Sequence, residues 1–326
     1  MSTCVTEPRF GHRQLCLHVG LPKSGSTTLQ KRFFSVHPAF TYLGVRYVEG
    51  RPTFVNAELE ELFDRICDRN VPYEKERVVH LYRTEILPRF GEGKIVAVSD
   101  ENLAFGEKGI LGRKIDRMKA IFGEAKIVLV IRRQTDMLES RYIHVMRGMN
   151  AGHVDFMTYP EWVRKNYING EVKVRLYHLD YFDMAEMFSS AFEKKNVGVF
   201  LLEELNQNPE DFESKLRAFL RVSQVESRGL LVGGRENVRI SHREFLYNWA
   251  IQSWPALRRL RDVLPKEARS RVRRFIQTGR KATVPTLPED VRMQVDALCA
   301  PGNRKLQELW GLDLARYGYR LGGEPP

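Results

Sequence analysis

The residue types best suited to chemistry are a lysine, two glycines and four hydroxyl side chains in one short loop near the start of the chain. The loop follows an apolar run of strand length, Leu15–Gly20, and precedes a helical pattern that carries Leu29 and Phe33 on one face. The first N–H groups of a helix lack intrahelical partners and carry partial positive charge, so the arrangement predicts an anion-binding loop. Its members are Gly20, Lys23, Ser24, Gly25, Ser26, Thr27 and Thr28.

The loop is close to the nucleotide-binding pattern G-x-x-x-x-G-K-[ST] but differs at its lysine. Gly20 and Gly25 have the required separation, and Ser26 stands where the pattern has lysine. Lys23 precedes Gly25 instead. Anion binding is therefore predicted with the positive charge in another place. The alternative is an ordinary glycine-containing turn with an exposed lysine.

A second group of candidate residues follows another apolar strand. Arg132 comes directly after the strand predicted over residues 125–131, and Ser140 lies in the helix predicted next. An arginine at a strand end and a serine in the following helix can bind the same phosphate. The alternative is that Arg132 pairs with a surface carboxylate and Ser140 faces solvent.

The segment from His18 to Gln30 reads His-Val-Gly-Leu-Pro-Lys-Ser-Gly-Ser-Thr-Thr-Leu-Gln. It resembles the 5′-phosphosulfate loop of the sulfotransferases that use 3′-phosphoadenosine 5′-phosphosulfate (PAPS), and it is most similar to the bacterial branch related to glycan (carbohydrate) sulfotransferases. Arg132 and Ser140 match the 3′-phosphate motif of that family, although members often have proline where this chain has Gln134.

The resemblance implies a P-loop-like α/β fold, PAPS as co-substrate, no metal, and a role for each candidate residue. Lys23 would stabilise the departing phosphate and the transferring sulfuryl group, and residues 24–28 would bind the phosphosulfate. Arg132 and Ser140 would bind the 3′-phosphate. Arg235, in the glycine-containing loop 232–241, would close over that phosphate.

Direct in-line transfer to an acceptor hydroxyl needs a base near that hydroxyl. Glu101 follows the strand predicted over residues 94–99, and its Ser-x-Glu context resembles the motif at this point in the bacterial branch. We therefore favour Glu101 as the base, with Asp100 and His80 as competitors. The alternative for Glu101 is a helix N-cap or a structural ion pair with Lys23.

Alternating apolar strands and amphipathic helices must position these residues. The alternation predicts a three-layer architecture, a parallel sheet flanked by helices, with ligands bound beyond the carboxyl ends of the strands. We predict an α/β core over residues 1–240 and a basic helical C-terminal part over residues 241–326, packed on the same domain. The last segment is predicted to form two short helices broken at Pro301.

Composition is that of a globular protein, with 29% charged and 43% hydrophobic residues in a chain of 326. The four cysteines are far apart, which predicts reduced thiols and no structural metal; Cys16, in the first strand, is expected in the core. No apolar stretch reaches the ~20 residues needed to cross a bilayer. We therefore expect a cytoplasmic protein.

A net charge of +11 predicts anionic partners, and the charge is densest from Leu257 to Lys281. That segment has ten basic and two acidic residues around an apolar stripe. It predicts a solvated helix pair, or a peripheral contact with anionic lipid at the inner membrane or with an acidic acceptor. Nucleic acid is not expected, because no recognised binding motif accompanies the charge.

Three classes of function remain open from the sequence. The favoured one is a PAPS-dependent sulfotransferase acting on a sugar or glycolipid hydroxyl. The second is a P-loop kinase that uses ATP and magnesium, with Asp100 at the end of an apolar strand as a metal ligand. The third is a non-enzymatic basic protein that binds a membrane or a polysaccharide.

Overall fold

The computed structural model describes residues 14–48, 51–69, 71–90, 93–148, 157–169, 179–223, 229–233, 241–278 and 286–322. These described residues fall into two compact units. The first unit is drawn from residues 1–105, 109–131 and 184–234, and the second from residues 106–108, 132–183 and 235–326.

A five-stranded parallel sheet forms the centre of the first unit. Its strands are β1 (Leu15–Gly20), β2 (Phe40–Tyr42), β5 (Ile95–Ser99), β6 (Lys126–Ile131) and β7 (Val197–Leu201). They lie in the order β2-β5-β1-β6-β7. Two further strands, β3 (Arg46–Val48) and β4 (Arg51–Thr53), pair with each other in antiparallel fashion.

The central strand β1 lies between β5 and β6. His18 is in register with Ser99 on one side and with Val128 on the other, and Gly20 is in register with Leu129 after a local shift. Because all three strands run parallel, their carboxyl ends meet at one edge of the sheet. The residues that follow these ends are therefore neighbours when they belong to this unit.

Two helices of the first unit, those that start after Asn56 and Asn208, begin at an asparagine cap. Asn56 Oδ1 accepts from the N–H of Leu59 (3.0 Å), and Asn208 Oδ1 accepts from the N–H of Asp211 (3.3 Å). The helices that lie wholly or mainly in this unit are α1 (Ser26–Leu29, continued by a π turn at Gln30–Phe34), α2 (Ala57–Ile66), α3 (Lys75–Leu81, continued by turns at Tyr82–Ile86 and Leu87–Arg89), α4 (Lys108–Phe122), α7 (Tyr181–Phe192), α8 (Leu202–Gln207) and α9 (Pro209–Leu220). The first residue of α4 and residues 181–183 of α7 belong to the second unit.

Both faces of the sheet are buried. On one face the side chains of Cys16 and Val128 pack with Phe33 of the first helical segment and Phe212 of α9. Leu129, which alternates to the opposite face, is also inaccessible to solvent. A parallel sheet buried on both sides confirms the predicted fold class, and Cys16 is confirmed as a core residue.

The described elements of the second unit are helical. They are α5 (Gln134–Gly148), α6 (Tyr159–Val163, continued at Arg164–Ile168), α10 (His242–Ser253), α11 (Pro255–Val263), α12 (Lys266–Gln277), α13 (Glu289–Trp310) and a short turn at Ala315–Tyr317. The predicted C-terminal part thus shares a compact unit with residues 132–183. No helix in the described ranges combines the length and the apolar character that a bilayer span requires.

The predicted break at Pro301 is wrong, because α13 runs unbroken from Glu289 to Trp310. A proline inside a helix removes one N–H donor and crowds the preceding turn. Packing outweighs this cost here: Cys299 and Leu306, on either side of the proline, are buried. The amide of Asn303 also donates to the carbonyl oxygen of Arg320 (2.9 Å).

Candidate functional site

The predicted anion-binding loop connects β1 to α1. The N–H of Leu21 donates to the carbonyl oxygen of Val130 (2.9 Å), which fixes the start of the loop beside β6. The backbone then enters the left-handed region at Gly20 (φ 107°), Lys23 (φ 68°) and Gly25 (φ 86°). Glycine adopts this conformation freely, whereas for lysine it costs about 1–2 kcal/mol. Strain of this kind is concentrated at functional sites.

Helix α8 supports the loop from behind. A Cβ atom added to Gly25 would lie 2.8 Å from Cδ1 of Leu202 and 3.4 Å from Cδ2 of Leu205. The loop backbone therefore passes too close to α8 for any side chain at residue 25. Glycine is required at this position for its conformation and for the space.

The hydroxyl groups of Ser24 and Ser26 are both buried but differ in their partners. Ser26 Oγ donates to the carbonyl oxygen of Leu21 (3.2 Å) and so belongs to the loop scaffold. Ser24 Oγ has no hydrogen-bond partner among the described residues. A buried hydroxyl without a partner costs about 1–3 kcal/mol, so Ser24 is a donor that a bound anion would satisfy.

The helical segment that follows the loop has its N-terminus at Ser26. The N–H groups of Thr28 and Leu29 both donate to the carbonyl oxygen of Gly25, at 3.0 and 3.2 Å. The N–H groups before them belong to the first turn, which has no carbonyl partner further back in the helix. Together with the helix dipole, they make this end of the segment positive and suited to a phosphate or sulfate.

Glu101 lies directly against the start of this loop. A Cβ atom built on Gly20 would be 3.0 Å from the Cα atom of Glu101 and 3.3 Å from its carbonyl oxygen. The glutamate itself is half-buried. The fold therefore brings the loop with Lys23 and the turn with Glu101 into contact, as the sequence predicts for strand ends that share one edge of the sheet.

Asp100, the neighbouring carboxylate, is a structural group. Its side chain forms an ion pair with Arg69 and accepts from the backbone N–H and the side-chain amide of Asn102, both at 2.9 Å. Its N–H donates to the carbonyl oxygen of His18 (3.1 Å). With 2% of its surface exposed, Asp100 has its oxygens committed to holding the turn that carries Glu101.

A buried lysine holds the same turn from the other side. Lys114 Nζ donates to the carbonyl oxygens of Asn102 (2.9 Å) and Phe105 (2.5 Å). Burial lowers the pKa of Lys114, because desolvation disfavours the charged form. Arg69 and Lys114 thus bracket the turn, which is fixed in place by side chains from the loop after α2 and from α4.

Beneath the loop, three polar side chains form a buried cluster. Gln30 Nε2 donates to Ser99 Oγ (2.9 Å), and Ser99 Oγ lies 2.7 Å from His18 Nδ1. Burial lowers the pKa of His18 to about 3, so the ring is neutral. If Ser99 accepts from Gln30 and donates to Nδ1, the ring proton sits on Nε2, which has no partner in the described residues.

In the second unit, the backbone around Arg132 is held by partners that are distant in sequence. Tyr181 Oη donates to the carbonyl oxygen of Arg132 (2.7 Å). Gln134 and Asn303 form a reciprocal amide pair: Gln134 Nε2 donates to Asn303 Oδ1 (2.7 Å) and Asn303 Nδ2 donates to Gln134 Oε1 (3.3 Å). Both amides are buried. These contacts fix the first residues of α5.

Solved structures with a similar fold are sulfotransferases. A sulfotransferase from Alicyclobacillus acidocaldarius has a TM-score of 0.53 at 17% sequence identity, with 94% of this chain and 99% of that chain covered. The fold is that of the sulfotransferases.

Two other sulfotransferase structures match with lower scores. Mouse sulfotransferase SULT7A1 complexed with PAP has a TM-score of 0.47 and 14% identity, covering 94% of this chain and 88% of that chain. The sulfotransferase domain from the curacin biosynthetic pathway has a TM-score of 0.41 and 16% identity, covering 68% and 79%. No protein-family model and no curated protein sequence matches the chain.

The remaining predicted site residues of this sulfotransferase fold lie as follows. Ser140 is on the second turn of α5 and is half-buried, and its pairing with Arg132 stays a prediction. His80, on α3, is exposed. Arg235 lies outside the described residues.

Sequence reasoning missed four residues that fix the backbone next to predicted site residues, two in each unit. Arg69 and Lys114 fix the Glu101 turn, and Gln134 and Asn303 fix the residues after β6. Only Gln134 gave a signal, since it replaces a proline that the resembling family often has. The others read as ordinary surface or helix residues in the sequence.

Proposed function

We propose that this chain transfers a sulfuryl group from PAPS to a hydroxyl group of a carbohydrate or glycolipid acceptor. One observation carries the proposal: an anion-binding loop with a strained lysine lies in contact with the turn of a half-buried glutamate. Such a pairing suits the transfer of an anionic group to a hydroxyl. We keep the predicted cytoplasmic location as part of the proposal.

The residues present fit PAPS, because the loop offers a buried hydroxyl donor that lacks a partner in the described residues. When bound, PAPS would supply a sulfuryl group activated as the mixed anhydride of sulfate and phosphate, whose S–O bond to the phosphate can be broken. The loop after β1 would hold the 5′-phosphosulfate, and the candidate residues that follow β6 would hold the 3′-phosphate. The proposed binding residues are Lys23, Ser24, Gly25, Ser26, Thr27 and Thr28 for the former and Arg132, Ser140 and Arg235 for the latter.

In the proposed reaction Glu101 accepts the proton of the acceptor hydroxyl while the oxygen forms a bond to sulfur. The bond between sulfur and the phosphate oxygen breaks, and adenosine 3′,5′-bisphosphate leaves with the electron pair. Lys23 and the helix N-terminus stabilise the charge that develops on that phosphate. No covalent enzyme intermediate is required, since catalysis rests on positioning and electrostatics.

The kinase alternative is not supported by the surroundings of Asp100. A magnesium-dependent kinase would need this carboxylate for the metal, and here it is ion-paired with Arg69 and hydrogen-bonded to Asn102. Such a kinase also needs a lysine directly after the second glycine of the loop, where this chain has Ser26.

Thermal stabilisation separates these functions. Adenosine 3′,5′-bisphosphate should raise the melting temperature, because a ligand that binds only the folded state stabilises it by mass action, and ATP with magnesium should not. Lys23→Ala should remove most of that shift. Lys31→Ala removes the same charge at an exposed position of the same helical segment and should leave the shift intact. A preference for ATP would favour the kinase, and no shift with either nucleotide would favour a non-enzymatic protein.

Turnover tests the base. With labelled PAPS and a panel of cell-envelope extracts, the wild-type protein should label a carbohydrate-containing fraction. Glu101→Gln keeps the size of the side chain and loses the proton acceptor, so it should bind the bisphosphate normally and lose turnover by about two to four orders of magnitude. Full activity of Glu101→Gln would remove this residue from the mechanism.

A further inference from the structure

The two helices α11 and α12 carry an unusual concentration of positive charge. Across Pro255–Gln277 there are eight arginine or lysine residues and two acidic ones. Only the two residues Leu264 and Pro265 separate the helices. We refer to α11 and α12 together as the basic hairpin.

Five apolar side chains of the basic hairpin are exposed. On α11, Leu257, Leu260 and Val263 follow one another at intervals of three residues and therefore share one side of the helix. Leu260 is 57% and Val263 76% exposed. On α12, Val272 and Phe275 have the same spacing, and Phe275 is 62% exposed.

The basic hairpin is attached to the rest of its unit through α10. Ser241 Oγ, at the N-cap of α10, donates to the carbonyl oxygen of Ile276. The guanidinium of Arg243 lies 4.4 Å from the ring centre of Phe275 and reaches Thr278 Oγ1 at 3.4 Å. These contacts hold the ends of α10 and α12 together and leave the apolar side of α11 in solvent.

We propose that the basic hairpin binds the surface of a bilayer that contains anionic lipids. Helices that lie in the interface of a membrane combine an apolar face with many arginines and lysines on the polar side, and they often carry a tryptophan or phenylalanine at the boundary. Trp254, 52% exposed, occupies such a position at the start of α11.

The positive charge and the exposed apolar side chains together favour one kind of partner. A soluble acidic partner would engage the arginines and leave Leu260 and Val263 in water, whereas a second copy of this chain would bring two surfaces of the same positive sign together. An anionic bilayer satisfies both features at once, because head groups neutralise the arginines while the aliphatic side chains enter the boundary with the acyl chains.

Vesicle flotation with the full chain tests this proposal. The protein should float with phosphatidylcholine vesicles that contain phosphatidylglycerol and remain unbound with phosphatidylcholine alone. Added salt should weaken the binding, because it screens the charge. Equal binding to both kinds of vesicle, or none to either, would overturn the proposal.

Paired variants identify the surface. Leu260→Glu with Val263→Glu should weaken binding to the anionic vesicles by about tenfold or more, because two apolar anchors are lost and negative charge is added. The matched control is Met293→Glu with Leu298→Glu, which changes two comparably exposed apolar residues of α13 (58% and 52%) and should bind as the wild type does. Equal losses in both variants would overturn the assignment.

Two further measurements keep the result unambiguous. Adenosine 3′,5′-bisphosphate should shift the melting temperature of the hairpin variant as it shifts that of the wild type, which separates this proposal from the one on catalysis. Vesicles should also shift the fluorescence of the wild type to shorter wavelength more than that of Trp254→Phe. The bilayer is the wrong partner if the Leu260→Glu, Val263→Glu protein still binds vesicles as the wild type does but has lost another interaction. That interaction would be self-association, measured in the ultracentrifuge, or binding to an acidic polysaccharide.

Discussion

Replacing Ser24 by alanine should have opposite effects on the free protein and on its complex with nucleotide. Ser24 Oγ is buried and has no partner in the described part of the chain, so the folded state carries the cost of an unsatisfied hydroxyl, about 1–3 kcal/mol. Alanine removes that cost and leaves only a small gap. We expect the ligand-free Ser24→Ala protein to be more stable by about 1 kcal/mol, or roughly 2 °C in melting temperature.

The same substitution should weaken the affinity for nucleotide. A hydrogen bond to a charged oxygen contributes about 1.5–3 kcal/mol, so loss of this donor should weaken binding of adenosine 3′,5′-bisphosphate by at least about tenfold. Differential scanning fluorimetry with a titration of the bisphosphate measures both quantities in one experiment.

Ser26→Ala is the matched control for this prediction. It removes a buried hydroxyl from the same loop, but one that donates to the carbonyl oxygen of Leu21. We expect Ser26→Ala to destabilise the ligand-free protein by about 1 kcal/mol. The reasoning would be refuted if Ser24→Ala lowered the melting temperature of the free protein, or if its affinity for the bisphosphate matched that of the wild type.

Three further predictions follow from the first unit. Between pH 6.5 and about 3 the unfolded chain binds a proton at His18 that the folded chain does not, so the free energy of unfolding should fall as the pH is lowered through this window. At about pH 5.5 this amounts to on the order of 1 kcal/mol by urea unfolding. Arg69→Ala leaves the buried carboxylate of Asp100 without its cation and should cost about 2–4 kcal/mol in unfolding free energy, with kcat reduced more than affinity for the bisphosphate. Gly25→Ala forces a Cβ atom to 2.8 Å from Leu202 at a left-handed φ and should cost about 2 kcal/mol or more by the same measurement.

Each of these has a defined contrary result. For the histidine, His18→Gln should reduce the difference in unfolding free energy between neutral and acidic pH. An unchanged difference would mean that other groups cause the pH dependence. For the ion pair, Arg113→Ala on the exposed side of α4 removes the same charge and is the control. If both variants lose the same unfolding free energy, the ion pair of Arg69 with Asp100 does not stabilise the fold. For the glycine, wild-type stability of Gly25→Ala would mean that the loop can move away from α8.

The sequence was sufficient to predict the elements whose signals are local. Strands β1, β5 and β6 lie within the apolar runs expected to form them, and the loop and helix after Gly20 follow from glycines and a helical pattern. Each of these predictions depends on residues close together in the chain.

The partners that fix the candidate residues within each unit could not be predicted, since they meet only through the fold. Asp100 and Arg69 are 31 residues apart and Gln134 and Asn303 are 169 apart, and no pattern in a single sequence pairs them. The prediction of a helix break at Pro301 was wrong for the same reason. Burial of the surrounding helix, which is a property of the folded unit, outweighs the local preference of proline.

The amide pair of Gln134 and Asn303 has a consequence for biosynthesis. Chains emerge from the ribosome N-terminus first, and domains fold as their segments become available. The strands and the anion loop are all made by residue 201, but the residue that secures the beginning of α5 is supplied at position 303. A nascent chain halted before that residue can therefore complete its sheet while Gln134 still lacks the Asn303 amide, so the start of α5 should be fixed in place only near the end of translation.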